Sequence, residues 1–280
     1  MSEAGILSGL SGLRPEDVTL RSFEEAEDYR ACVEVQRATW GQDFSDAVPA
    51  SVLKISQKVG SVAAGAFAPD GRMLGFVWGL TGVRDGRFFH WSHMLAVVPE
   101  ARDLRLGTRL KLYQRELLLP LGVAEVEWTY DPLEARNAHL NLDLLGARPV
   151  QYVEEMYADE MGSELARGIG TDRFIVRWEI ASERVVAVLA GSPPGDPGRF
   201  ADAPALGLEA GELPEATRVR IEIPANIQAV KSEDPDAAAA WRQSTRRAFQ
   251  HYFGRGYRVE AYLREGDRRF YGLESREAGE

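Results

Sequence analysis

The chain has 280 residues, a formal net charge of −10, 45% hydrophobic residues and a single cysteine, Cys32. This length and composition suit one large folded domain or two small ones, and the acidic balance gives no reason to expect nucleic acid as a partner. The chain lacks a run of about 18 apolar residues and the pattern of a secretory signal, so we expect neither a membrane partner nor export. Because one cysteine cannot form an internal disulfide, we expect a cytoplasmic location and a buried thiol.

The first 180 residues alternate between helical and strand patterns. Two helical stretches come first, followed by two apolar runs around Pro69-Asp70-Gly71, a sequence typical of a hairpin turn. A long strand, apolar on both faces and therefore expected at the centre of a sheet, precedes an amphipathic helix. The predicted elements are helices at 22–41, 49–60, 103–122 and 134–146, a hairpin at 61–82, and strands at 87–99, 123–131, 148–159 and 172–180.

The last hundred residues begin with a change of composition. Residues 190–216 are rich in Pro, Gly and Ala without a clear period, which indicates a linker or long surface loop. A strand at 217–224, a helix that starts at Asp234-Pro235 and strands at 257–266 and 268–275 follow, in β-α-β-β order. We therefore predict domains at 1–180 and 181–280. The tail either adds strands to the first sheet or forms half of a second, similar domain.

The strand-to-helix turn after residue 97 carries the most specific motif. Val97-Val98-Pro99 leads to Arg102-Asp103-Leu104-Arg105-Leu106-Gly107, and this turn, within the element order above, resembles the GCN5-related N-acetyltransferase (GNAT) superfamily. Its members carry R/Q-x-x-G-x-G/A here, so Arg102 and Gly107 match while Arg105 replaces the first glycine. A branch with a C-terminal extension is the nearest resemblance, and it covers residues 20–273. The stretches that carry it are 110–116, 128–147, 171–178 and 241–259.

The resemblance implies an α/β (α+β) fold with a mixed, mostly antiparallel, splayed sheet flanked by helices, and a smaller C-terminal part. It also implies acetyl-CoA or another acyl-CoA as co-substrate, and acyl transfer to an amine by direct attack on the thioester. The diphosphate would bind at the turn, and the pantetheine arm would pair with residues 95–97 like an extra strand. The implied cofactor-binding residues are Leu95, Val97, Arg102, Leu104, Arg105, Gly107, Thr108 and Asn137.

Elementary chemistry supports an anion site at this turn. The first N–H groups of a helix have no partner within it, and together with the positive end of the helix dipole they attract a diphosphate. A glycine lets a phosphate approach, because it has no Cβ. Two alternatives stay open: Gly107 either admits the phosphate or serves only close packing of helix on sheet, and Arg105 either binds phosphate itself or fills the pocket.

The catalytic groups are less well defined. In many members a tyrosine on the helix after the fifth strand protonates the leaving thiolate, and Leu142 takes that position here. Tyr130, Tyr152 and Tyr157 are substitutes, of which we take Tyr130 as the candidate. His93 is the candidate general base, and it faces away from His90, three residues earlier in the same strand. Glu125 and Glu127 are further candidates for a base that acts through water. No metal-ligand spacing is present, so we expect no metal site.

Two functions remain open at this point. The chain is either an acyl-CoA-dependent N-acyltransferase for a small amine or a peptide, or a GNAT-fold protein that has lost catalysis and binds a small molecule or a protein. Arg105 and Leu142 favour the second. A homodimer is an open alternative to a monomer. In the tail, Arg242, Arg246 and Arg247 form either a cationic surface for an anionic substrate or a solvated helix face.

Overall fold

The structure, a computed structural model, describes residues 12–157, 168–208 and 211–276. They form two compact units, and the division falls inside one strand, between Val126 and Glu127. The predicted boundary at residue 180 differs from this division, because residues 127–157 and 168–180 pack with the C-terminal part. None of the described helices has both the length and the apolar character that a membrane crossing requires. The end of the strand predicted at 148–159 lies outside the described residues.

The first unit contains a four-stranded antiparallel sheet in the order β1-β2-β3-β4. The turn predicted at Pro69-Asp70-Gly71 connects β2 and β3, as the sequence indicated. Strand β1 has no counterpart among the predicted elements, because four residues are too few for a pattern. The strands are β1 Thr19–Ser22, β2 Val62–Phe67, β3 Met73–Arg84 and β4 Arg87–Val97, and the helices are α1 Ala26–Trp40, α2 Ala50–Lys58 and α3 Leu106–Leu118.

An apolar core joins α1 and α2 to β2–β4. Phe76, Trp78 and Met94 of the sheet are nearly inaccessible to solvent and pack with Cys32 and Leu53 of the two helices. Burial raises the pKa of the Cys32 thiol to about 12, so this cysteine is an inert core residue, as predicted. Leu106, Leu110 and Leu118 of α3 are fully buried as well. This core therefore fixes the end of β4 and the start of α3, where the motif lies.

Strands of two sheets lie in the second unit. Strands β5, β7 and β6 lie in that order, and β6 and β7 are antiparallel. A separate sheet has the order β10-β11-β9-β8, so the described residues of the tail add no strand to the first sheet. The elements are β5 Glu125–Tyr130, α4 Ala135–Ala138, a π-helix His139–Leu144, β6 Arg148–Val153, β7 Arg173–Glu179, α5 Glu183–Leu189, β8 Ala205–Leu206, β9 Arg218–Ile223, α6 Ile227–Glu233, α7 Pro235–Gly254, β10 Arg258–Glu265 and β11 Arg268–Glu274.

Aromatic packing explains why the residues around β7 belong with the tail. The Phe174 ring lies 4.8 Å from Phe249 of α7 and 5.4 Å from Tyr271 of β11, measured between ring centroids. The segment predicted as a linker takes part as well. Phe200 is fully buried, and Leu206 pairs in parallel with Ile221 of β9. The described residues of 190–216 are therefore part of a folded layer.

Candidate functional site

A bulge in β4 positions the first candidate residue. Trp78 of β3 pairs with Met94 and Leu80 pairs with Trp91, so Gly79 alone lies opposite Ser92 and His93. An ideal Cβ at Gly79 would collide with the His90 Nε2 atom and the Trp91 carbonyl oxygen. Only glycine fits there without a shift of the backbone. Bulges of this kind re-aim side chains and are common beside active sites.

His93 is exposed at this bulge. Its ring meets Trp78 edge to face, with centroids 5.5 Å apart. Partial loss of solvation lowers the pKa of His93, and the Asp46 carboxylate opposes that shift. The imidazole is therefore neutral at pH 7, the form that accepts a proton.

His90, three residues earlier, is part of a buried network. Its Nδ1 lies 3.0 Å from Thr81 Oγ1 and its Nε2 lies 3.0 Å from Gln114 Nε2. Lys111 Nζ donates to Ser92 Oγ at 2.7 Å and to Gln114 Oε1 at 3.3 Å. Thr81, His90, Ser92, Lys111 and Gln114 are the buried network. It makes His90 a structural residue and holds Lys111, which is 2% exposed, in the interior of the first unit.

The end of β4 directs two main-chain groups away from β3. The Val98 N–H donates to the Leu74 carbonyl at 2.9 Å, so the backbone of Val98 faces β3. Because successive residues of a strand direct their backbone groups to opposite edges, those of Val97 and Leu95 point away from β3. This is the orientation that pairing with an extended ligand requires.

The turn into α3 presents main-chain amides at the start of the helix. A 3-10 helix, Pro99–Leu104, ends at Arg105, which has left-handed backbone angles, φ 54° and ψ 28°. The N–H groups of residues 105–108 precede the first hydrogen bond of α3, from the Arg109 N–H to the Arg105 carbonyl, so they have no acceptor within that helix. A left-handed residue between right-handed ones turns successive N–H groups toward one point and forms an anion-binding concavity. The Arg105 side chain is exposed, so it leaves the concavity open.

Gly107 is open to the approach of a ligand. An ideal Cβ there would meet only Leu95 Cδ2, at 4.0 Å, which is ordinary van der Waals contact. Close packing of helix on sheet therefore does not require glycine at this position, and the backbone conformation does not require it either. We call residues 95–97 and 102–108 the β4–α3 corner. The structure brings together here seven of the eight predicted cofactor-binding residues: Leu95, Val97, Arg102, Leu104, Arg105, Gly107 and Thr108.

The other candidates belong to the second unit, where the three tyrosines form hydrogen bonds with neighbouring side chains. Tyr130 is 5% exposed, and its hydroxyl lies 3.2 Å from that of Tyr271. Burial raises the pKa of Tyr130, which does not suit a proton donor that must reach substrate. Tyr152 bonds to Asp172, and Tyr157 lies 3.2 Å from Thr129 Oγ1. Asn137 lies on α4, half-buried.

The cationic surface considered for α7 is wrong. Arg242 is 3% exposed and bonds Asp131 at 2.5 Å, and Arg246 pairs with Glu154, Glu155 and Asp172. Arg247 donates to the Gly211 carbonyl at 3.1 Å. These side chains hold α7 against the other elements of the second unit.

The two glutamates of β5 differ in burial. Glu127 pairs with Arg177, 3.1 Å away, and is 4% exposed, so it is held inside the protein. Glu125, at the start of the strand, is half-buried. Its role as a base that acts through water stays a prediction.

The order of elements decides the fold. Two helices, a hairpin, strand β4, the Val97-Val98-Pro99 turn into α3, β5, a helix and strands β6 and β7 follow one another as the sequence predicted. The predicted fold class, a mostly antiparallel mixed sheet with flanking helices and a smaller second sheet, is confirmed.

Several solved structures are similar in fold to part of this chain. A chain of the NatC complex bound to Gag peptide and CoA has 12% identity and a TM-score of 0.47, over 58% of this chain and 98% of that one. Aminoglycoside 6'-acetyltransferase type Ii has 17% identity and a TM-score of 0.46, over 59% and 99% of the two chains. The ribosomal-protein-S18-alanine N-acetyltransferase from Escherichia coli has 19% identity and a TM-score of 0.43, over 59% and 97%.

These likenesses concern the fold alone, since the identities are below 20% and the TM-scores are below 0.5. No protein-family model and no curated protein matches the chain.

Proposed function

We propose that the chain is an acyl-CoA-dependent N-acyltransferase, most simply one that moves an acetyl group from acetyl-CoA to a primary amine. The single observation that carries the proposal is the β4–α3 corner, where four amides without an acceptor inside α3 and an open Gly107 follow a strand with outward-facing backbone groups. A diphosphate offers several anionic acceptor oxygens, which is what those donors require. The backbone of Leu95 and Val97 would hold the amides of the pantetheine arm.

The main chain of residues 95–97 and the exposed His93 have different roles in this proposal. A backbone N–H of residues 95–97 would stabilise negative charge on the thioester oxygen as the amine attacks. Neutral His93 would accept the proton that the amine loses as the N–C bond forms and the C–S bond breaks. The acceptor amine and the site of thiolate protonation are left unassigned. Acetyl-CoA is a co-substrate here, and the buried single cysteine supports a cytoplasmic setting.

A second function has an observation in its favour. Leu142, at the position of the usual tyrosine, is 1% exposed, and Tyr130 is enclosed in the second unit. A chain without a proton donor would bind acyl-CoA without transferring the acyl group, as a binding module. Both functions use the same corner, so binding and transfer must be measured separately.

Calorimetric titration tests the binding that both functions share. We expect saturable binding of acetyl-CoA and at least about tenfold weaker binding of S-acetylpantetheine, which lacks the diphosphate. A ligand at 100 times its dissociation constant raises the free energy of unfolding by about 2.7 kcal/mol, which a thermal shift would report. Absence of binding at millimolar acetyl-CoA contradicts both functions.

Mass spectrometry of an amine panel with saturating acetyl-CoA then decides between them. Acetylated product above a no-protein control supports the enzyme. Tight binding without transfer to small amines, amino acids or peptides supports the binding module.

A further inference from the structure

Two arginines of the second unit share one carboxylate, and a third arginine lies near them. Arg148 begins β6, Arg184 lies on α5 and Arg199 lies in the 3-10 helix Pro197–Phe200. Arg148 Nη2 is 3.0 Å from Glu260 Oε2, and Arg199 Nη2 is 3.7 Å from the same oxygen. Arg184 donates to the Gly146 carbonyl at 3.1 Å. We call Arg148, Arg184 and Arg199 the arginine cluster.

The cluster has more positive than negative charge. Glu260 is shared between Arg148 and Arg199, and Glu274 is shared between Arg199 at 3.1 Å and Arg218 at 2.6 Å. Arg184 forms no ion pair with any described carboxylate. Burial, and after it the neighbouring Arg148, lowers the pKa of Arg184 to about 10, although the Glu260 and Glu179 carboxylates oppose the shift. Such mutual repulsion is relieved when an anion binds.

Several hydrogen-bond donors of the arginine cluster also lack an acceptor. The Nε atoms of Arg148, Arg184 and Arg199 are buried and have no acceptor, and they are three of the six such side-chain atoms in the described ranges. Buried donors in proteins are almost always paired, because an unpaired one costs about 1–3 kcal/mol. Their concentration around Glu260 indicates a place where acceptors are missing.

The same cluster is accessible from one side. The side chains of Arg148 and Arg199 are 40% and 31% exposed, so their terminal nitrogens reach solvent. The adjoining segment 191–198 is rich in glycine and proline, and an ideal Cβ at Gly195 would lie 4.0 Å from the Glu260 carbonyl. Guanidinium forks match the geometry of phosphate oxygens and bind them in pairs.

We propose that Arg148, Arg184 and Arg199 form a binding site for a small phosphate-bearing anion on the second unit. The proposal rests on these side chains alone and goes beyond the acyl-CoA site proposed at the β4–α3 corner. A phosphate with two or more oxygens turned to the cluster would accept from the terminal nitrogens and balance the charge of Arg184. A site of this kind makes the stability of the second unit depend on a phosphorylated ligand.

The test uses full-length protein carrying Gly107→Glu, so that the β4–α3 corner cannot supply the signal. Pyrophosphate, inorganic phosphate and citrate are titrated by calorimetry against sodium chloride at matched ionic strength. We expect saturable binding of pyrophosphate, weaker binding of phosphate and the weakest binding of citrate. Arg184→Met should weaken pyrophosphate binding at least about tenfold.

Two further variants make the outcome decisive. Arg148→Gln removes a more exposed member and should weaken binding by a similar factor with an unchanged fold, as judged by circular dichroism. Arg255→Met, which removes an exposed arginine of the same unit paired with Glu215, should leave binding unchanged. Pyrophosphate binding that equals the chloride control, or that persists in both Arg184→Met and Arg148→Gln, overturns the proposal. Equal loss in Arg255→Met would also overturn it, because the effect would then be one of general charge.

Discussion

The β4–α3 corner and the buried network belong to the same unit and share strand β4, yet they use polar groups in opposite ways. In the network, each side chain bonds another inside the protein, and both ring nitrogens of His90 are engaged. At the corner, the amides of residues 105–108 have no acceptor within α3 and His93 is exposed. The network therefore stabilises the fold, whereas the corner leaves donors that a ligand can satisfy.

Gly107→Glu should separate the two regions most strongly, by a large effect on binding alone. A carboxylate beside the amides at the start of α3 would repel a diphosphate and occupy its place. We therefore expect acetyl-CoA affinity to fall about 1000-fold, or about 4 kcal/mol. The free energy of unfolding should change by less than about 1 kcal/mol, because the space beyond Gly107 is open. Calorimetry and denaturant unfolding measure the two quantities.

Gly107→Ala is the matched control for that variant. Its added methyl group meets only Leu95, so folding should be unaffected and the affinity loss should be smaller than with Glu. Affinity retained in Gly107→Glu would remove the corner as the diphosphate site.

Gly79→Ala should have the reverse effect, a loss of stability that originates in the network. The new Cβ would collide with the His90 ring and with the backbone of Trp91 and Ser92, so the bulge must shift at a cost of about 3 kcal/mol. Urea unfolding checks the value. Gly82→Ala, in the same strand, meets only the Phe89 ring at 3.2 Å and should cost less than about 1 kcal/mol. Equal costs for the two variants would show that the bulge is not held by Gly79.

His93→Gln tests the exposed histidine as a base. We expect kcat to fall about 100-fold with little change in KM for acetyl-CoA, since general-base catalysis contributes about 10²–10⁴-fold. The lowered pKa of His93 places the acid limb of the wild-type rate below pH 6.5, where protonation removes the base, and the variant should lack that limb. Stopped assays between pH 5 and 8 measure both. An acid limb that persists in His93→Gln would assign the proton transfer to another group.

His90 should affect the pH dependence of stability. Burial, and after it the charge of Lys111, lowers the pKa of His90 to about 3. The unfolded chain binds a proton near pH 6.5 and the folded one does not, so its contribution is complete above pH 6.5 and falls toward pH 3 by about 1 kcal/mol per pH unit. His90→Asn should flatten the dependence of unfolding free energy on pH by that slope. An unchanged slope would mean that the ring is hydrated in the folded state.

Most of the fold could be predicted from the sequence because the signals are local. The Pro69-Asp70-Gly71 turn, the alternation in β5 and the Asp234-Pro235 helix start each depend on a few neighbouring residues. The seven predicted residues of the corner lie close together in the chain, so their proximity follows from the sequence, whereas their role in cofactor binding stays a prediction. Arg105 stands out as a departure from the motif, and its left-handed backbone angles are the conformation that glycine usually supplies.

Long-range contacts account for what the sequence missed. The burial of Lys111 depends on Ser92 and Gln114 meeting it across two elements, and periodicity in α3 does not report that. Tyr130 is a candidate acid in the sequence only because its partner, Tyr271, is 141 residues away. The bulge at His93 did leave a signal, a glycine inside a strand at position 79, which typically marks a bulge or close approach of another backbone.

Changes in the amide chemical shifts of residues 105–108 on addition of CoA test whether these N–H groups hold the diphosphate. With labelled protein, we predict that these four amides, together with Val97, show the largest shifts, that the shifts saturate with the calorimetric affinity, and that Gly107→Glu abolishes them. Saturable CoA binding with these amides unmoved would contradict the assignment of the corner, because the diphosphate would then be held elsewhere.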